Sequence, residues 1–482
     1  MRHHSALAKR LAPSLHRSSL ALCAAIVSAC SDPAPTPSDA AVATDTPVVT
    51  DRPDVTVTDA SDVTVTDASD VTATDASDVT DASDVTVTDA SDVTATDASD
   101  VTVTDAADAS DGSATCAVAC VGGRRCVSGR CVDAWRAMTT TGAPTPRSST
   151  ASAWTGTELF VFGGFVPGMH FGDGARYNPV ENNWRPLATV LAPAPRTAAS
   201  AVWTGREVIV WGGRDLDGPR NDGARYDPAT DRWTAISTTG APVGRTGGAV
   251  VWTGTELLVW GGLGTSDLTA TGALYNPTTD RWRPVSATGA PTARADFAYA
   301  WSGTELLVFS GQGGAGVDLA GGRYNPTSDA WRAMSTTGAP TPRARASAAW
   351  TGRELFVWGG TDASNATLAS GGLYDPMANT WRALPAAGAP AARLTASAVW
   401  TGRAVIVWGG FTPIPGTMPI QNRRYDDGFA LDPATLTWSP IETLGAPSAR
   451  NEHAAAWSGA EMLVWGGTAE SGRVSSGGRF QP

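Results

Sequence analysis

Ala198-Ala199-Ser200-Ala201-Val202-Trp203-Thr204-Gly205-Arg206-Glu207-Val208-Ile209-Val210-Trp211-Gly212-Gly213 reads as two short strands around a tight turn. Small residues and a valine lead into Trp203. Thr204-Gly205 is the turn, with glycine where a positive φ is needed. Glu207 to Trp211 is apolar and β-branched, as a buried strand should be. Gly212-Gly213 ends it. Farther on, Tyr226-Asp227-Pro228 closes a third strand, because proline cannot continue a ladder, and Arg232-Trp233-Thr234 opens a fourth.

The same text returns about every 49 residues, so one supersecondary unit is copied along the chain. All 19 tryptophans fall into three columns of that repeat. The first is Trp154, Trp203, Trp252, Trp301, Trp350, Trp400 and Trp457, each followed by Thr-Gly or Ser-Gly. The second is Trp211, Trp260, Trp358, Trp408 and Trp465, with Phe162 and Phe309 in the remaining slots. The third is Trp135, Trp184, Trp233, Trp282, Trp331, Trp381 and Trp438. Such large aromatics are expected to fill the space between neighbouring units.

Four short antiparallel strands with glycine and proline punctuation make a propeller blade. The unit resembles the kelch repeat: a Gly-Gly doublet after an apolar strand, then a tyrosine, then a tryptophan. The doublets are Gly163-Gly164, Gly212-Gly213, Gly261-Gly262, Gly359-Gly360, Gly409-Gly410 and Gly466-Gly467, and the fourth unit departs with Ser310-Gly311. Tyr177, Tyr226, Tyr275, Tyr324 and Tyr374 each lie seven residues before a tryptophan, while the sixth unit has Leu431 and the seventh Phe480. The resemblance covers about 134–482 and implies an all-β, seven-bladed kelch-type β-propeller over 133–482. The last unit stops at Phe480-Gln481-Pro482, without a fourth strand, and Asp133-Ala134-Trp135-Arg136 matches the missing one. The N-terminal strand is therefore expected to close the last blade and remove a free sheet edge.

Residues 1–30 read as a lipoprotein-type signal peptide. Arg2, Lys9, Arg10 and Arg17 precede a short apolar stretch that ends Val27-Ser28-Ala29-Cys30, which resembles the bacterial lipoprotein box with Cys30 as the lipidated residue. The expected location is the outer membrane through this anchor, or secretion. Residues 31–115 hold 20 Asp, one Arg and no aromatic residue, a balance of −19. Their eight-residue motif, Asp-Ala-Ser-Asp-Val-Thr-Val/Ala-Thr, cannot gather enough apolar surface to fold, so a disordered, self-repelling linker is expected. The acidic balance of the whole chain, −12, thus belongs to the linker, and residues from 116 onward are mildly basic. Cys116, Cys120, Cys126 and Cys131 make a Cys-rich segment over 116–132. In an exported chain they read as disulfides, with three pairings open, rather than as a zinc knuckle.

Candidate binding residues come from the loop face. Every unit carries an arginine seven residues before its first-column tryptophan: Arg147, Arg196, Arg245, Arg294, Arg343, Arg393 and Arg450. Strand order puts them at one mouth of the channel. One reading makes them structural, bonded within the repeat. The other makes them a funnel for anions, because guanidinium groups grip carboxylate or phosphate in bidentate fashion. The resemblance supports the second, since kelch domains that bind acidic peptides use arginines near this position. Two residues on, the copies diverge: Ser149, Ala198, Gly247, Asp296, Arg345, Thr395 and Glu452, followed by His453. The sixth loop is the longest, with Phe411, Ile414, Met418, Ile420, Arg423, Arg424 and Tyr425. Variable loops on a rigid scaffold are where recognition sits.

No cofactor, metal or nucleic-acid partner is indicated. Copper-radical oxidation, known on kelch-type propellers, needs a cysteine and two histidine ligands. Here no cysteine follows Cys131, and the propeller has only His170 and His453. The leading expectation is a monomeric, non-enzymatic scaffold for a protein or glycan ligand, attached to the membrane by lipid alone. The alternative is a carbohydrate-active enzyme of epimerase or lyase type using Asp296, Arg345, Glu452 and His453.

Overall fold

The computed structural model describes residues 134–417 and 421–482 and, upstream, the backbone of eight short strands between 55 and 132. Residues 1–30 with Cys30, most of the acidic segment 31–115, the side chains of Cys116, Cys120, Cys126 and Cys131, and Met418 and Ile420 lie outside the described residues. Within the linker, the described strands pair in parallel with copies of themselves, Val63–Thr66 with Val85–Thr88 for example. The described residues contain strands and turns and no helix.

From residue 134 onward the chain is a β-propeller. Seven antiparallel four-stranded sheets form. In the second unit the strands are Ser200–Trp203, Val208–Trp211, Gly223–Asp227 and Arg232–Ala235. Val208 lies opposite Tyr226, and Tyr226 opposite Trp233, so the conserved spacing of the repeat becomes a cross-strand row. The first strands sit side by side in a closed order, Ala151–Trp154 touching both Ser200–Trp203 and Ala454–Trp457. The seventh sheet takes its fourth strand from the other end of the chain. Trp135–Ala137 pairs with Gly477–Phe480, placing Trp135 opposite Phe480.

The turn in each unit is built by its threonine or serine as much as by its glycine. Thr204 Oγ1 accepts from the Glu207 N–H at 2.9 Å and donates to the Glu207 carbonyl at 3.0 Å. Gly205 between them has φ +93°, a region L residues avoid. Gly213 answers to space as well as to φ. A Cβ there would come within 2.7 Å of Ala199 N and 2.6 Å of the Thr197 carbonyl.

Hydrophobic clusters lie between units rather than within them. One joins Phe160, Phe162 and Leu187 of the first unit to Val208, Val210, Tyr226 and Trp233 of the second. The tryptophan columns explain the join. Each second-column aromatic packs on the third-column tryptophan of the next unit, from Phe309–Trp381 at 4.5 Å to Trp358–Trp438 at 6.0 Å. All seven junctions have this pair, including Trp408–Trp135 and Trp465–Trp184, which involve the closing strand and the first unit. Each tilted pair contributes about 0.5–1.5 kcal/mol beyond its burial. The first column differs: its seven indoles are only half-buried, at the end of the innermost strands.

Candidate functional site

Short bridges tie the loop before each first strand to the loop after its second, Thr197 with Arg214 and Leu394 with Phe411 among them. Both loops therefore share one face. The seven arginines of that face are buried, none more than 2% exposed. Arg196 shows the pattern. Its Nε donates to the Ala194 carbonyl at 2.8 Å, Nη1 to the Gly212 carbonyl at 3.1 Å, and Nη2 to Asp222 at 2.9 Å. The two carbonyl anchors recur in every copy, and the third partner varies. Arg147, Arg294 and Arg393 also meet carboxylates, of Asp173, Asp318 and Asp427. Arg245, Arg343 and Arg450 meet only hydroxyls and carbonyls, and burial lowers each from its usual value to about 10. They remain charged at neutral pH. A funnel of free guanidinium groups at the channel mouth is thus corrected: these groups face inward and staple turn, second strand and third strand of their own unit.

The mouth is formed two residues later. Ser149, Ala198, Gly247, Asp296, Arg345, Thr395 and Glu452 all have φ between 52° and 65°. Six of them are not glycine, so each holds a conformation costing on the order of 1–3 kcal/mol. What holds them is a hydrogen-bonded ring. In five of the seven, the N–H donates to the carbonyl of the equivalent residue in the preceding unit; four of these are Ala198 to Ser149 at 3.0 Å, Asp296 to Gly247 at 2.9 Å, Arg345 to Asp296 at 2.8 Å and Thr395 to Arg345 at 3.3 Å. Ser149 donates to Glu452 at 3.0 Å, from the first unit back to the last. The charged side chains touch their ring neighbours. Arg345 meets Asp296 at 3.4 Å, and Ser149 Oγ lies 3.2 Å from the Glu452 carboxylate.

A family model described as the KLHDC2/KLHL20/DRC7 Kelch-repeats domain matches residues 131–314 and 318–476. The chain belongs to this family. No curated protein matches it.

Other candidates of the kelch propeller fall into two groups. His453 sits behind the ring, edge-on to Trp408 at 5.1 Å, with Nε2 3.0 Å from Ser397 Oγ. Burial, helped by the Arg450 charge, lowers its pKa to about 3, so it is neutral throughout the physiological range. That state suits a packed hydrogen-bonding group and not a proton carrier. Tyr425 is likewise buried, its ring 3.9 Å beneath the Arg393 guanidinium. The sixth loop forms a hairpin, Phe411–Ile414 against Gln421–Arg424. Arg424 is tied to Asn451 and Glu470 of the seventh unit, whereas Arg423 and Ile414 are exposed.

The opposite face carries two devices that the repeat count had not singled out. Tyr226 donates to Asp231 at 2.6 Å, and Asp231 also accepts the Ala188 N–H of the preceding unit at 3.0 Å. Five units have such a tyrosine clamp, with Asn182, Asp280, Asp329 and Asn379 in the other four. Second, an arginine strap joins six of the seven junctions. Arg176 bonds Glu158 of its own unit and the Pro228 carbonyl of the next, both at 3.0 Å. Arg225, Arg283, Arg323, Arg382 and Arg479 do the same with Pro277, Pro326, Pro376, Pro433 and Pro179. The signal was present in the sequence as Thr/Ser-Gly-x-Glu, kept in six copies and broken at Thr401-Gly402-Arg403-Ala404.

Proposed function

We propose that this kelch propeller is a binding scaffold that takes a protein or glycan ligand on its ring-bearing loop face. Kelch repeats are commonly protein-interaction scaffolds. The observation that carries the reading is the ring at the mouth: one left-handed backbone conformation repeated seven times, with seven different residues on it. Structural demand explains the backbone and not the choice of side chain, which supports a role in recognition. The exposed hairpin of the sixth unit stands beside Glu452 of the seventh and extends the same surface. The signal-like first 30 residues and the acidic linker support a further reading, that the scaffold is exported and tethered through Cys30 at the outer membrane.

The test is affinity capture from an extract of the producing cells and their surroundings. The full chain is compared with Arg345→Ala/Glu452→Ala and with a chain whose sixth loop is cut to the length of the second unit's. The expected result is loss of a captured species in both variants. Equal capture by all three removes the loop face as the binding surface. Metabolic labelling with a fatty acid, compared between the parent chain and Cys30→Ala, tests the tether.

A further inference from the structure

The sixth junction lacks the strap, and a groove of about 580 Å3 opens at that place. The carboxylate and both arginine positions of the strap are altered there. Ala404 stands where six units have glutamate, and Ala430 and Ser439 stand at the two positions from which the strapping arginine comes. All three line the groove, as does Pro482, at the position of the accepting proline. The sixth unit has also lost its tyrosine clamp, with Leu431 and Leu436 in place of the pair. Three substitutions removing one device from one junction leave a space with specific walls, not an accident of a single loop.

Those walls combine an aromatic platform with mixed polar groups. The half-buried Trp457 supplies apolar surface. Thr437, Ser439 and Gln481 bring hydroxyls and an amide, which donate and accept. Arg403 and Asp432 occupy the positions at which Arg353 and Asp375 of the fifth unit form an ion pair at 3.2 Å, yet among the described residues these two have no ion-pair partner. The volume falls within the roughly 300–1,000 Å3 of small-molecule sites. We infer that the groove binds a saccharide. The apolar C–H face of a pyranose suits the indole, and its ring of hydroxyls suits donors and acceptors of both signs. A guanidinium ligand, mimicking the missing strap, would find alanine where its carboxylate partner should be.

This site lies on the face opposite the ring and is independent of the reading above. The experiment is an array of immobilised di- to hexasaccharides probed with the full chain, the loop-shortened chain and Ala404→Glu/Ser439→Arg. The last rebuilds the strap of the third and fifth units inside the groove. Saccharide retention is expected for the first two, with at least ten-fold weaker retention by the strapped variant and a melting temperature no lower than the parent's. Thr437→Ala/Gln481→Ala leaves the strap positions untouched and should weaken retention at least five-fold, which covers the case of a strapped variant that does not fold. Absence of any retained saccharide, retention unchanged by the variants, or arginine-containing peptides displaced in place of saccharides overturns the inference.

Discussion

The second and sixth units have the same strands, the same turn threonine and the same buried arginine, and they differ in how they hold their neighbours. The second clamps the first through Tyr226 and Asp231 and straps the third through Arg225. The sixth has leucines at the clamp, alanines at the strap and eight extra residues in its loop. It keeps the interior aromatic contact, Trp408 on Trp135 at 5.3 Å. The sixth unit is seated against the seventh without strap or clamp, by this aromatic contact and by the Arg424 and Ser397–His453 contacts on the other face, so the strap and clamp are separable from closure of the ring. Where they are dropped, surface becomes available for something else.

The largest effect should fall on what the two units share. Arg196→Leu and Arg393→Leu each leave several buried carbonyls and a carboxylate without a partner, and each should cost about 3–5 kcal/mol in urea unfolding. A silent Arg393→Leu would mean that the sixth unit has departed in its interior as well. Next come the ties that only the second unit has. Glu207→Ala/Arg225→Ala makes the second junction resemble the sixth and should cost about 1–2 kcal/mol, since the pair is partly exposed. A loss as large as that of Arg196→Leu would show that the straps are essential and that the sixth junction is compensated elsewhere.

The third comparison uses pH. The His453 pKa is lowered in the folded chain to about 3, against about 6.5 when exposed. The unfolded chain then binds a proton that the folded one refuses, so the contribution is complete above about pH 6.5 and is lost as pH falls toward 3. Unfolding midpoints between pH 7 and 4 should fall less for His453→Gln than for the parent. Parallel curves would place His453 in contact with solvent. The smallest effect is expected at the ring. Ala198→Gly in the second unit and Thr395→Gly in the sixth relieve positive φ and should each raise stability by about 1 kcal/mol in the same unfolding measurement. Destabilisation by either would show that its side chain, rather than the hydrogen-bonded ring, holds the turn.

The fold was legible because the repeat compares the chain with itself. Seven aligned copies expose strand ends, the turn glycines and the strand that closes the last sheet. The site was less legible for the same reason. An arginine present in all copies reads equally as structure or as binding, and only its burial and partners decide. Positive φ at Ala198 and Arg345 has no mark in their side chains, because the ring of hydrogen bonds that imposes it joins residues about 49 apart. Ser310 shows a local departure explained by structure. In place of glycine at φ 59°, it accepts the buried Arg343 N–H on its hydroxyl at 2.6 Å. The strap and clamp were within reach of the sequence, as Ala404 and Leu436 break otherwise regular columns.

The hydrogen-bonded ring has a consequence for how such a surface can change. Its five backbone hydrogen bonds point in one rotational sense, each N–H toward the preceding unit, and use no side-chain atom. The character of the opening then follows from the residues at seven positions: Ser149, Ala198, Gly247, Asp296, Arg345, Thr395 and Glu452. Seven codons at nearly equal spacing form a register that mutation can rewrite one position at a time, while the backbone beneath keeps its shape.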